Sequence, residues 1–123
     1  MKLRFRNNSL RLRVNKLEVQ ALAAGDVLTE SVFFPGQSSL SYVLEAASGK
    51  QPGATYQHGR IVISAPSDEV RSWAHSDAIG IYFELPADGT QLRVAIEKDL
   101  ECLDAPSDER DADAFPRGPG KTY

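Results

Sequence analysis

The chain holds 123 residues, 41% hydrophobic and 25% charged, with a formal net charge of −3. That suffices for one compact domain and its core, and the acidic balance argues against a general nucleic-acid binder, which carries a basic domain. The single cysteine, Cys102, excludes an internal disulfide and a cysteine-rich zinc site, and no apolar run approaches the roughly 20 residues of a membrane span. Met1 leads directly into charged, alternating sequence, so neither a signal peptide nor a membrane partner is expected, and a cytoplasmic location is the default.

The charge is unevenly placed. Six basic residues and no acid fall within the first 16 positions, and the first acid is Glu18. Residues 97–113 hold eight acids against Lys98 and Arg110. In the basic stretch, Lys2, Arg4 and Arg6 alternate with Leu3 and Phe5, and Arg11 and Arg13 with Leu10, Leu12 and Val14. Strict alternation is the period of a half-buried strand. Asn7-Asn8 reads as the hairpin turn, because Asn tolerates positive φ. Counting outward pairs Phe5 with Leu10, Arg4 with Arg11, Leu3 with Leu12 and Lys2 with Arg13. One face is then apolar and the other cationic. Like charges opposite one another repel, so an anion is expected there: acidic strands, a tail or a ligand.

A helix follows, with Asn15 and Glu18 at capping-box spacing, an apolar stripe of Leu17, Val19, Leu22 and Ala23, and Gly25 as its stop. Strands are expected over residues 27–34 and 40–47, joined through Pro35-Gly36-Gln37-Ser38, before a linker over 48–53. The order then recurs. His58-Gly59 turns residues 54–57 into 60–64. A second helix runs from Pro66 or Ser67 to Ser76, with Asp68 and Glu69 where the helix dipole favours anions and Val70, Trp73 and Ala74 as its stripe. Residues 79–85 and 91–97 flank Asp88-Gly89, the strongest hairpin signal in the chain. There Leu85 meets Leu92, Phe83 meets Val94, Ile81 meets Ile96, and Glu84 meets Arg93 as an opposite-charge pair.

Both halves thus read strand, strand, helix, strand, strand. A shift of 51 positions superposes them without a gap through Pro35, taking Phe5 to Tyr56, Leu10 to Ile61, Leu22 to Trp73, Phe34 to Leu85 and Pro35 to Pro86. Glu30 against Ile81 and Phe33 against Glu84 are mismatches. Two explanations stand: an internal duplication, or the likeness of any two amphipathic units of this kind. The expected organisation is one α+β domain over residues 1–103, with pseudo-repeats 3–47 and 54–98 forming a mainly antiparallel sheet or open barrel with two helices. Residues 104–123 are acidic, contain Pro and Gly, and have Phe115-Pro116 as their one apolar anchor. They are expected to be a tail, disordered or docked.

The candidate ligand-binding residues are Lys2, Arg4, Arg6, Arg11, Arg13 and Arg93, with Glu84 and Glu97 near them. Arginine forks on rigid strands make a phosphate or carboxylate clamp. The competing explanation is a solvated strand face whose cations pair with Glu84, Glu97 and Glu45. His58, His75 and Cys102 have no recognisable metal-ligand spacing. The acids at 97–113 lack the pattern of a calcium loop, and no base is spaced to activate Cys102. Ser9 lacks a nucleophile-elbow context, and Trp73 reads as core. No catalytic residue, metal or cofactor is therefore assigned.

If eight strands closed into a barrel with polar faces inward, Arg4, Arg11, Arg13, Glu45, Thr55, Glu84, Arg93 and Glu97 would line a channel. That arrangement resembles triphosphate tunnel (CYTH-like) phosphohydrolases. Their opening strand carries a Glu-x-Glu-x-Lys metal-binding pair, where this chain has Lys2, Arg4 and Arg6. The opening residues 1–13, together with 94–103 and Asp113-Ala114-Phe115-Pro116, are similar to a family of small uncharacterised bacterial proteins. That resemblance implies no activity. It does imply that the basic first strands and the acidic last strand and tail work as one unit.

The expected function is binding of a small anion, a phosphorylated ligand or an acidic partner on the basic face. The alternatives are a phosphohydrolase-like enzyme with a polar channel, or an interaction protein whose first hairpin pairs with its own tail. The oligomeric state is left open.

Overall fold

The computed structural model describes residues 1–49 and 51–100. Cys102, the expected tail and its Phe115-Pro116 anchor lie outside the described residues.

Eight strands and two helices follow the expected order: β1 (Lys2–Arg6), β2 (Ser9–Val14), α1 (Lys16–Ala23), β3 (Leu28–Phe34), β4 (Ser38–Ala47), β5 (Gly53–Gln57), β6 (Arg60–Pro66), α2 (Ser67–Ala74), β7 (Gly80–Ala87) and β8 (Thr90–Lys98). The local signals explain the boundaries. Asn15 accepts from the Glu18 backbone N–H while the Glu18 carboxylate accepts from the Asn15 N–H, a closed capping box. Asn7 turns the first hairpin at φ 53°, and Asp88 and Gly89 turn the last at 45° and 79°. The registers of both hairpins are those counted out from their turns, Arg4 opposite Arg11 and Glu84 opposite Arg93.

The fold is α+β with two helices and mainly antiparallel pairing, as expected, but the strands do not join into one sheet or close into a barrel. They form two four-stranded mixed sheets, ordered β1-β2-β8-β7 (sheet A) and β3-β4-β6-β5 (sheet B). In each, two antiparallel hairpins meet through a parallel central pair, β2 with β8 and β4 with β6. The first hairpin of each half therefore pairs with the second hairpin of the other half. Burial explains why the channel arrangement fails. That arrangement requires helices to cover the outward apolar face of every strand, and an eight-residue helix is only about 12 Å long. Instead the apolar faces of both sheets meet the helices in one core: Leu12, Val14, Leu44, Ile63 and Ile96 from the strands, Leu22, Val70 and Trp73 from the helices. Each such side chain contributes about 1.5–3 kcal/mol on burial. The polar faces turn outward.

Leu22 and Trp73 hold matching places in α1 and α2, 0% and 3% exposed. Beyond the helices the ungapped shift slips. Ser9 pairs with Arg93 while Arg60, its counterpart, pairs with Ser41, so Ser41 matches Arg93 one position beyond the 51-residue shift. Leu28 and Ile81 then match through their partners Leu44 and Ile96. This replaces the expected matches of Phe34 with Leu85 and Pro35 with Pro86, and it removes the mismatch of Glu30 with Ile81. The cause is local: the loop after the helix is longer in the second half, and the turn at 35–37 is longer than Asp88-Gly89.

Candidate functional site

The three antiparallel and parallel registers of sheet A arrange its outward side chains in rows. Across β1, β2, β8 and β7, one row reads Lys2, Arg13, Glu97, Gly80. The next reads Arg4, Arg11, Ala95, Tyr82, and the third Arg6, Ser9, Arg93, Glu84. All eight residues singled out in the sequence thus share one face. Glu45 and Thr55, expected beside them in a channel, belong to sheet B.

The face is only partly neutralised. Arg11 Nε lies 3.2 Å from Glu97 Oε1 and Arg13 Nε 4.0 Å from the same oxygen. Lys2 Nζ lies 2.9 Å from the Asp99 carboxylate, just past the end of β8. Among the described residues Arg4, Arg6 and Arg93 form no ion pair, although Glu84 is the register partner of Arg93. Five of the rows' six cations lie on adjacent strands of one hairpin, where cross-strand neighbours are about 5 Å apart at Cβ.

Tyr82 and Gly80 shape the β7 side. The Tyr82 hydroxyl donates to Glu97 Oε2 at 2.7 Å, and the ring folds back over Gly80, where a Cβ would stand 2.8 Å from that hydroxyl. The hydrogen bond to Glu97, helped by burial, raises the Tyr82 pKa above its usual value. Over the small Ala95 the surface dips into an open hollow of about 530 Å³, bordered by Arg11, Tyr82, Glu84 and Arg93. Its wall offers guanidinium donors, one phenol and one carboxylate.

Tyr82, Gly80 and Asp99 were missed in the sequence. Tyr82 was legible, since it alternates with Glu84 along β7. Asp99 was not, because it lies beyond the last strand and meets Lys2 through the parallel pairing of β2 with β8.

The remaining candidates lie elsewhere. His58 is exposed in the β5–β6 turn, and His75 Nδ1 sits 2.8 Å from the Arg71 carbonyl oxygen at the end of α2. Ser9 Oγ donates to the Arg6 carbonyl oxygen at 2.6 Å. Trp73 is core, its indole N–H donating to the Ile79 carbonyl oxygen. Among the described residues no three His, Cys, Asp or Glu side chains converge as metal ligands, and no helix is long and apolar enough to cross a membrane. A second, apolar hollow opens between the sheets, lined by Phe5, Leu10, Leu40, Tyr56, Ile61 and Leu92 among others.

Residues 1–119 match a family of unknown function (DUF7009). The chain belongs to this family. The match takes in the basic face of this DUF7009 chain and the acidic stretch after it. No curated protein and no solved structure matches the chain.

Proposed function

We propose that this DUF7009 chain is a binding module for a small polyanionic ligand, a phosphorylated one in the first instance, held on the outward face of sheet A. One internal comparison carries the proposal. The 51-residue shift takes Lys2, Arg4, Arg6, Arg11 and Arg13 of sheet A to Gly53, Thr55, Gln57, Val62 and Ser64 of sheet B, on strands paired in the same register pattern. The fold therefore builds the same hairpin with one cation on that face, Arg60 at the place of Ser9, instead of five. Five cations on one hairpin add repulsion that the scaffold does not need. Arginine forks bind phosphate oxygens in bidentate fashion, and the hollow over Ala95 leaves room for such a group beside Arg11 and Arg93.

The test is titration with inorganic tripolyphosphate at low salt, followed by calorimetry. The full-length chain is used with the acids at 104–113 replaced by amides, so that they do not compete for the cations. Binding should weaken steeply with salt. Arg4→Ala with Arg11→Ala should lower affinity by about tenfold or more while the urea midpoint stays in place. Equal affinity with and without the two arginines, or no binding at all, overturns the proposal.

A further inference from the structure

We propose that the acidic segment after β8 is the resident occupant of the basic face, a tethered competitor that an external polyanion must displace. This rests on the basic face being the binding surface.

The described chain already begins the contact. β8 runs parallel to β2, and the Asp99 N–H continues that ladder by donating to the Val14 carbonyl oxygen at 2.8 Å. Its side chain reaches past β2 to Lys2 on β1, at 2.9 Å. The first acid beyond the strand thus sits on the rim of the cationic rows. From there to residue 113 the sequence supplies Glu101, Asp104, Asp108, Glu109, Asp111 and Asp113 against Arg110, and Arg117 and Lys121 follow only beyond these acids. The face still holds Arg4, Arg6 and Arg93, none of them ion-paired among the described residues.

Reach is not limiting. Lys2 to Arg6 is four strand residues, about 13 Å, and five extended residues span that distance. The charges are complementary, and the family match runs through residue 119, past every one of these acids. A tethered segment acts at an effective concentration in the millimolar range. Single exposed ion pairs are weak, so several are needed, and a ligand with denser charge can displace the segment.

The experiment compares the native full-length chain with one carrying Asp104→Asn, Asp108→Asn, Glu109→Gln, Asp111→Asn and Asp113→Asn. Without ligand, the ¹H–¹⁵N spectra at low salt should differ at β1 and β2 amides and at the Nε–Hε signals of Arg4, Arg6 and Arg93. High salt should erase the difference. Tripolyphosphate should bind the amide variant about tenfold more tightly than the native chain. Identical spectra and equal affinities overturn the tail proposal, and arginine-dependent binding in both chains would leave the basic-face function standing. Spectral changes at Phe5, Leu10, Ile61 and Leu92 instead would place the segment in the apolar hollow and equally overturn it. Changes on the basic face without tripolyphosphate binding would keep the tail contact and remove the ligand function.

Discussion

Glu97 and Glu45 hold matching places in the two sheets, yet Glu97 stands in register with Arg13 and Glu45 with Ser64. On sheet B the Ser64 hydroxyl donates to Glu45 Oε2 at 2.8 Å. On sheet A the same position collects Arg11, Arg13 and the Tyr82 hydroxyl. One carboxylate in a common position thus accepts from a serine on one sheet and partly neutralises a cationic face on the other.

Glu97→Gln should release Arg11 and Arg13 while keeping an acceptor for Tyr82. Tripolyphosphate affinity, measured by calorimetry in the amide-tail chain, should rise severalfold, and Glu45→Gln should leave it unchanged. Both arginine side chains are 41% exposed, so the stability lost in urea melts should stay under about 1 kcal/mol. A fall in affinity would mean that Glu97 orders the arginines for the ligand rather than competing for them.

The hairpins were legible because each is closed by a turn of a few residues. Once Asn7 or Asp88-Gly89 is placed, alternation dictates every partner, down to Arg4 with Arg11. The basic face was legible for the same reason. The joining of the hairpins was not. β2 with β8 and β4 with β6 are pairs between strands distant in sequence, and strands such as Leu10-Arg11-Leu12 carry no mark of which partner they take. The barrel failed on the same ground, since alternation states that a strand has an apolar face but not whether that face turns inward or outward. The two-residue slip that matches Leu28 with Ile81 was hidden by loop lengths, which the ungapped shift ignores.

Trp73→Ala should cost about 3–5 kcal/mol in urea melts, and Leu22→Ala about 2–5 kcal/mol. Trp73 is 3% exposed, its indole N–H donates to the Ile79 carbonyl oxygen at 2.9 Å, and Lys98 Nζ lies 5.8 Å from the ring centroid. Trp73→Phe should fall between native and Ala, because a smaller aromatic ring still fills part of the site while the hydrogen bond is lost. A loss below about 1 kcal/mol for Trp73→Ala would contradict its place in the core.

The chain's amino group supplies a pH dependence. The Met1 ammonium is held by Glu18 Oε2 at 2.6 Å and Glu30 Oε2 at 2.7 Å, and the Tyr42 hydroxyl donates to the Met1 carbonyl oxygen. Burial pulls the ammonium pKa down, but hydrogen bonds to the two carboxylates and their charges outweigh it, and the net shift is upward from 8.0. A cation whose pKa is raised on folding stabilises the fold fully below its unfolded value and loses that contribution as pH rises through the folded value. Burial first, then the charges of Glu30 and Glu18, raises Tyr42 as well. Tyr42 stays protonated in the fold at a pH where the unfolded chain has begun to ionise, so its contribution also falls with rising pH. The urea midpoint should therefore decline from about pH 8 upward. Acetylating the Met1 amine, or Glu18→Gln with Glu30→Gln, should lower the midpoint at pH 7 and flatten the decline in its first part, before tyrosine titrates. A native profile that stays level from pH 7 to pH 9 would show that the Met1 ammonium and its two carboxylates add nothing to the stability of the fold.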